Sequence, residues 1–507
     1  MNRAIRRLSI ATLVLFVLLM VNVNYLQVFR VNTLAAESYN PRVFSEQLKN
    51  WRGEIIAAGD ESTGGADVVV AKSKLTKSGE YQRVYPYGSE YVPVTGYESI
   101  LGTTTPNGLT GIEKAENKFL AGTAPSLAVY NLKGLFTGKP KQGASVYLTI
   151  SPRAQAAAYQ ALVAMGKPAA VVAIDPRTGA ILAMASYPTF NPNAYATLDS
   201  SQLAKVDKRI RTNPNDLLLN RAINDTFPPG STFKLITSSA AFATGKVANQ
   251  NSTIPGPTAY LLPGSHTSLF NDGGAPCGNG HPTMVYALTL SCNTAFAKLG
   301  DTVGGTALHN MANAYGFNNP NLTIPIPVTP SAYPGPAASA PALTDPAQIA
   351  LSAIGQFNDT ETPLQEAMVA ATIANHGTTM RPYLVGQIKA PDQSPVQTAA
   401  PTALAHPITS AQAGYLTTMM EGVTQNPSGT AYQTAGPPST GILIAGKTGT
   451  AQNGVNNSHL DDAVFTCFAP ASNPQIAVGV IVKGGGFGAD AAAPIALKII
   501  QAYLRQH

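Results

Sequence analysis

An α+β body behind an apolar N-terminal helix is predicted by three observations. Strand-like runs lie early, at residues 146–150 and 169–175, and late, as three runs between 442 and 482, with helical periodicity between them. Early and late strands meeting in one sheet, with helices around it, is the α+β arrangement. The first thirty residues hold an apolar run long enough to cross a bilayer.

In order along the chain, Arg3, Arg6 and Arg7 precede the apolar run of residues 8–28, which is broken by Asn22, Asn24 and Gln27. Basic residues on the near side keep an N-terminus cytoplasmic. Thr33-Leu34-Ala35-Ala36 is a poor signal-peptidase site, so the reading is an uncleaved anchor with everything after Arg30 outside the cytoplasm. Residues 31–143 form a separate stalk. Trp51 to Ile56, Arg83 to Gly88 and Val94 to Tyr97 read as strand-like units, and residues 111–120 as one helix. No chemically equipped cluster appears there.

The third part, residues 144–507, begins with the 146–150 strand and an Ala-rich helix over 152–165. Residues 169–175 and 180–185 flank Pro176-Arg177-Thr178-Gly179 as a hairpin. Two Pro/Ala-rich stretches, 320–346 and 391–407, read as surface loops, the first beside a groove. Residues 491–504 are a closing helix.

Composition narrows the function classes. Over 507 residues only 12% are charged, and the net charge of +6 carries no long basic run, which argues against nucleic acid as a partner. No Cys-x-x-Cys or His-Glu-x-x-His occurs, so no metal site and no cofactor is expected. Cys277 and Cys292 can be bridged in an oxidising compartment or remain thiols, and Cys467 reads as a buried thiol.

The chemistry concentrates at Pro228-Pro229-Gly230-Ser231-Thr232-Phe233-Lys234. A sharp turn opens a helix, so Ser231 lies in a first turn and Lys234 three residues on shares its face. A serine hydroxyl needs a base to act as a nucleophile, and a lysine can serve if burial favours its neutral form. Taken singly, the motif is weak, and a capping serine beside a solvated lysine explains it better. Ser291-Cys292-Asn293 follows, with a hydroxyl and an amide at another helix entry; alone it reads as an N-cap. Gly446-Lys447-Thr448-Gly449-Thr450 follows a strand placed at 442–445, where an edge strand with a cation and hydroxyls can hold an extended peptide and its carboxylate. Residues 441–448 also satisfy the phosphate-loop pattern, but prolines precede it, the strand lies inside it and the residues after it, to Asn457, are turn-like. Gly484-Gly485-Gly486-Phe487-Gly488 is read as a hairpin or edge loop.

Ser-x-x-Lys, Ser-x-Asn and Lys-Thr-Gly in this order are the motifs of penicilloyl-serine transferases. On them the chain resembles the class B penicillin-binding proteins, their actinobacterial A-type branch most closely. The likeness extends through Arg52-Gly53, Gly111-Ile112-Glu113, Leu120-x-Gly122, Asp175-Pro176-x-Thr178-Gly179, Asn220-Arg221-Ala222, Gly355-Gln356 and Thr362-Pro363-Leu364-Gln365. One departure is that residues 459–465, His459 to Phe465, lack the tryptophan many relatives carry there.

The resemblance implies a serine β-lactamase-like transpeptidase domain, with helices around an antiparallel sheet, behind a small α+β stalk of dimerisation type. It implies peptidoglycan cross-linking. Ser231 attacks the D-Ala-D-Ala bond of a stem peptide with Lys234 as base, and Ser291 relays a proton. Asn293 binds the peptide amides, and Lys447, Thr448 and Thr450, with Gly449 between them, receive the carboxylate. An acceptor amine then takes the acyl group, and β-lactams block Ser231. Implied partners are a membrane glycosyltransferase and division proteins. The alternatives are a D,D-carboxypeptidase, a β-lactamase, or a β-lactam-sensing or division scaffold. A β-lactamase needs a deacylating base, and no pattern assigns Glu361 or Glu366 to that task.

Overall fold

The computed structural model describes residues 3–28, 30, 48–59, 65–77, 79–103, 108–128, 130, 142–334, 342–452 and 460–504. The Thr33 to Ala36 stretch, His459, part of the 320–346 stretch and most of the stretch after Ala451 lie outside these residues.

Helix α1, Arg3–Val28, is about 39 Å long at 1.5 Å per residue, more than the thickness of a hydrocarbon core. Its segment Ile5–Gln27 has a mean hydropathy of 2.1 and is not buried against the rest of the chain.

Six strands build the first sheet: β1 (Ile55–Ala57), β2 (Val68–Leu75), β3 (Tyr81–Val84), β4 (Ser145–Leu148), β10 (Val385–Lys389) and β11 (Pro395–Thr398), in the order β11-β10-β4-β1-β2-β3. β1 and β4 run parallel and the other neighbours antiparallel. The expected 146–150 strand thus joins the strands of the stalk, and the sheet crosses position 143/144. Its alternating burial is visible locally; its partner is a long-range choice that periodicity does not encode.

Three local expectations are corrected. Val94 to Tyr97 is not strand-like: Val92–Thr95 is a helical turn, started by Pro93 and ended at Gly96, whose φ is 65°. Residues 111–120 are two short helices, Gly111–Ala115 and Asn117–Leu120, because Glu116 leaves helical geometry. The 391–407 stretch contains β11 and β12 (Ala403–Ala405), the latter paired with β9 (Thr379–Met380). The stalk core is tied by Glu113, which is fully buried and accepts from Arg52 Nε at 2.5 Å and Arg83 Nε at 2.6 Å. Paired on both oxygens, its carboxyl lies below the usual carboxylate range.

The second sheet carries the site. β5 (Ala169–Ile174), β6 (Ile181–Tyr187), β13 (Ala445–Ala451), β14 (Asp462–Ala469) and β15 (Ile476–Val482) form an antiparallel sheet in the order β13-β14-β15-β5-β6. The ends of the sequence meet at the β15–β5 pair. Every residue of β15 is buried, so both faces are covered. Helices α2 (Pro152–Met165) and α7 (Ala493–Leu504) pack on each other and on β6 and β15, and α5 (Pro363–Ala374) packs on β5, β14 and β15. Gly479 allows that approach: a Cβ there would lie 2.4 Å from Ala367 N. Helices α3 (Lys234–Ala243), α4 (Asn293–Val303) and α6 (Ser410–Gln425), with the hairpin of β7 (Ala259–Leu261) and β8 (Ser268–Phe270), complete the body.

Candidate active site

Three elements bring the motif residues together. Pro228 and Pro229 feed a 3₁₀ turn, Gly230–Phe233, that runs directly into α3. Gly230 has a φ of 56°, donates to Gly355 O at 3.0 Å, and leaves room for β13: a Cβ there would sit 2.7 Å from Thr450 O. Ser231 is half-buried in this turn, and Lys234, completely buried, opens α3. Ser291 holds a φ of 58° just before α4, which begins at Asn293. An L-residue in that region is strained, and here it turns the serine toward both lysines.

β13 corrects the sequence reading. The strand is Ala445–Ala451, not 442–445, so Lys447, Thr448, Gly449 and Thr450 lie within it, at the sheet edge, with β14 as strand neighbour. The local reading stopped at the Gly-Lys-Thr-Gly run because glycine and lysine are poor strand formers; seven paired residues on β14 decide otherwise. Lys447 is followed by strand as far as Ala451, where a phosphate loop would open a helix, so the phosphate-loop pattern has no phosphate-loop structure.

Lys234 Nζ lies 2.9 Å from Ser231 Oγ, 2.7 Å from Ser291 O, 2.7 Å from Asn293 Oδ1 and 3.2 Å from Ser291 Oγ. The two shortest contacts are to atoms that only accept. A neutral amine satisfies both with its two N–H groups and keeps its lone pair for the Ser231 hydroxyl. Burial favours that neutral form and pushes the lysine well below its ordinary value; the charge of Lys447 adds to this, against Asp272. Lys447, also completely buried, donates to Ser291 Oγ at 2.9 Å and Thr448 O at 2.8 Å. Burial lowers it to about 7, while Asp272 and Glu366 favour its proton. Ser291 Oγ thus sits between the two lysines. Thr448 Oγ1 is shared with Thr430 Oγ1 at 2.7 Å, and Thr450 is half-buried at the strand's end. A Cβ on Gly449 would lie 2.7 Å from Pro229 O, so the strand can approach the catalytic turn only through a glycine.

The strap that precedes the second motif is fastened to it. A disulfide joins Cys277 to Cys292, the middle residue of Ser291-Cys292-Asn293. Asn271 Oδ1 accepts from Thr294 N at 3.0 Å and Thr294 Oγ1 at 3.1 Å, and Asn293 Nδ2 reaches Asp272 Oδ1 at 3.3 Å. Cys467 is a buried free thiol on β14, raised by burial.

Sequence reasoning missed Asp272, Thr232 and Gln356, whose Nε2 donates to Thr450 O at 3.1 Å. Gly355-Gln356 had stood out only as part of a resemblance, and nothing in the pattern around Asp272 marked it. Among the described residues no cluster of His, Cys, Asp and Glu could hold a metal ion.

A serine whose hydroxyl meets a buried lysine, between a second serine and the edge strand of an antiparallel sheet, defines a serine acyltransferase site. Residues 169–501 match the penicillin binding protein transpeptidase domain, and residues 52–146 the penicillin binding protein A dimerisation domain. The chain is 40% identical to the peptidoglycan D,D-transpeptidase PbpA of Mycolicibacterium smegmatis, over 100% of both chains. It is similar in structure to penicillin-binding protein A of Mycobacterium tuberculosis, solved as ceftriaxone and penicillin G acyl-enzyme complexes. The TM-scores are 0.82 and 0.81 at 37% identity, covering 90% of this chain and 99% and 100% of those chains. The chain belongs to the penicillin-binding protein transpeptidase family.

Proposed function

We propose that this serine-type peptidoglycan D,D-transpeptidase forms its acyl-enzyme on Ser231. The carrying observation is the contact of Ser231 Oγ with a buried lysine whose N–H groups are already committed to Ser291 O and Asn293 Oδ1. Lys234 takes the hydroxyl proton as Ser231 Oγ attacks the carbonyl between the two terminal D-alanines. Backbone N–H groups of Ser231 and Thr450 hold the oxyanion, a contribution of roughly 3 kcal/mol per donor in comparable sites. Ser291, between Lys234 and Lys447, passes the proton to the leaving amine. Asn293 binds the donor's amides. Lys447 supplies the positive charge for its carboxylate, with Thr450 and, through the hydroxyl pair with Thr430, Thr448 as hydrogen-bonding partners. The amine of a second stem peptide then attacks the acyl carbon and releases Ser231. A β-lactam enters as the donor does and stays on Ser231, as in the acyl-enzymes of the tuberculosis relative.

Glu361 and Glu366 speak against a β-lactamase. Both are buried, at 2% and 1% exposure, and neither can present a carboxylate to a hydrolytic water in the groove. The anchor reading places α1 in the membrane, Arg3, Arg6 and Arg7 on the cytoplasmic side and the catalytic body outside. The Cys277–Cys292 disulfide suits that compartment. The stalk is then available to a membrane glycosyltransferase or division proteins.

The test is to give the full-length protein in detergent a donor ending in D-Ala-D-Ala with and without an amine acceptor. Aminolysis exceeding hydrolysis supports cross-linking. Hydrolysis alone at every acceptor concentration would mark a carboxypeptidase.

A further inference from the structure

The acylation chemistry assigns residues to the donor and none to the acceptor amine, and an exposed carboxylate stands beside the donor site. Asp272 opens the 3₁₀ turn Asp272–Gly274 in the strap after β8. Its neighbour Asn271 is buried and pinned: Oδ1 accepts from Thr294 N and Oγ1, and Nδ2 donates to Ala275 O at 2.9 Å. The disulfide from Cys277 to Cys292 fixes the strap further on. The Asp272 side chain is exposed, and among the described residues no arginine, lysine or histidine pairs with it. Gly273 and Gly274, at φ 66° and 69°, leave the turn open: a Cβ on either would meet nothing within 4 Å. Asn293 Nδ2 lies 3.3 Å from Asp272 Oδ1 and 3.4 Å from Phe270 O, so both residues border the same amide. Phe270, at the end of β8, is 53% exposed. From that amide the contacts run through Asn293 Oδ1 to Lys234 Nζ at 2.7 Å and on to Ser231 Oγ at 2.9 Å.

We propose that Asp272 and Phe270 form the subsite for the acceptor: the ammonium of the second stem peptide docks on the Asp272 carboxylate, and the aliphatic chain that carries it lies along the Phe270 ring. The donor's amides occupy Asn293 and its carboxylate Lys447, so the charge left beside them serves the other substrate, which is an amine. A carboxylate pairs with an ammonium at hydrogen-bond distance, and the face of an exposed ring attracts both the cation and its methylenes. Once docked, the ammonium gives one proton to solvent at the mouth of the site. The amine's lone pair then forms the C–N bond at the acyl carbon. A second proton passes from that nitrogen to Lys234. The bond from the acyl carbon to Ser231 Oγ breaks with its electron pair on Oγ, and Lys234 returns the proton there. Asp272 makes and breaks no bond in this sequence; it decides which nucleophile reaches the acyl-enzyme.

The inference rests on the cross-linking reading, and its test separates the two. The full-length protein in detergent is given a donor that ends in D-Ala-D-Ala and has no cationic side chain. The acceptor is either Nα-acetyl-lysine amide or hydroxylamine, a nucleophile that is uncharged at mildly alkaline pH. The ratio of transfer to hydrolysis is read for each. That ratio is set after the acyl-enzyme forms, so a change in acylation rate cancels. With one ammonium–carboxylate pair lost, Asp272→Asn is expected to lower the ratio for the lysine amine about tenfold and to leave that for hydroxylamine within about twofold. Asp272→Glu keeps the charge and is expected to recover most of the loss. A displaced Asn293, or a Lys447 that holds its proton less tightly without Asp272, would move both acceptors alike. Salt gives a reading that needs no variant: raising it lowers the wild-type ratio for the lysine amine and not for hydroxylamine. Equal falls for both acceptors in folded Asp272→Asn, an unchanged ratio for the lysine amine, or a wild-type ratio indifferent to salt overturns the inference. A wild type that transfers to neither acceptor overturns the cross-linking reading itself, and the subsite with it.

Discussion

Replacing Lys234 by methionine keeps the length of the side chain and removes its nitrogen. Two losses follow. The first is the base: a positioned proton acceptor contributes roughly 10²- to 10⁴-fold to rate. The second is structural, since Ser291 O and Asn293 Oδ1 each lose a 2.7 Å hydrogen bond in a buried site. An orphaned buried acceptor costs about 1–3 kcal/mol, offset in part because a buried amine no longer has to be desolvated. Acylation by a fluorescent penicillin, followed by stopped flow, is therefore expected to fall about 10³-fold or more, towards the upper end of what a lost base explains. The melting temperature should fall by a degree or two, since unfolding entropy grows with length and about 1 kcal/mol shifts a body of more than 300 residues by roughly 1 °C. Acylation within tenfold of wild type in a folded Lys234→Met protein would refute the assignment of Lys234 as base.

Three further outcomes follow. As pH rises through about 7, Lys447 loses the proton that attracts the donor's carboxylate. The second-order acylation rate should then fall about tenfold per unit on that limb, and a penicillin with an esterified carboxylate should show no such fall. Cutting the Cys277–Cys292 bond by a double serine substitution opens a loop of sequence separation 15 and should cost about 3 kcal/mol in the chain-entropy account, read as a lower denaturant midpoint. Acylation should fall with it, because Asn293 and Asp272 are held by that strap; an unchanged midpoint would contradict this. Gly449→Val adds a side chain where a Cβ already lies 2.7 Å from Pro229 O, and should slow acylation by at least tenfold by pushing β13 off the catalytic turn. Wild-type acylation would show that the turn can yield.

Much of the catalytic sheet was legible because its signals are local and strong. Continuous apolar runs marked β5, β6, β14 and β15, and the Ala-rich run over 152–165 matched α2 end to end. The motif order placed Ser231, Lys234, Ser291, Asn293 and Lys447, which the fold gathers from α3, the entry to α4 and β13. What escaped depends on distant partners. β4 alternates like any edge or core strand, and only its pairing with β1 and β10 puts it in the stalk sheet. β13 is written in glycine, lysine and threonine, and pairing with β14 overrides those preferences. No local pattern gave Glu361 and Glu366 a role or a place; both are buried, Glu366 in the first turn of α5 behind the catalytic turn. Asp272 sits in a strap whose position is set by a disulfide and by Asn271, and no local pattern carries that.

The central claim, that Ser231 is the nucleophile of a transpeptidase, is tested most directly by the intact mass of the full-length protein after penicillin is added, beside a Ser231→Ala control. One drug's mass is expected on the wild type, lasting for many minutes, and none on the control. An adduct on the control, or none on folded wild type, would contradict the assignment of Ser231, and an adduct lost within seconds would make the protein a hydrolase.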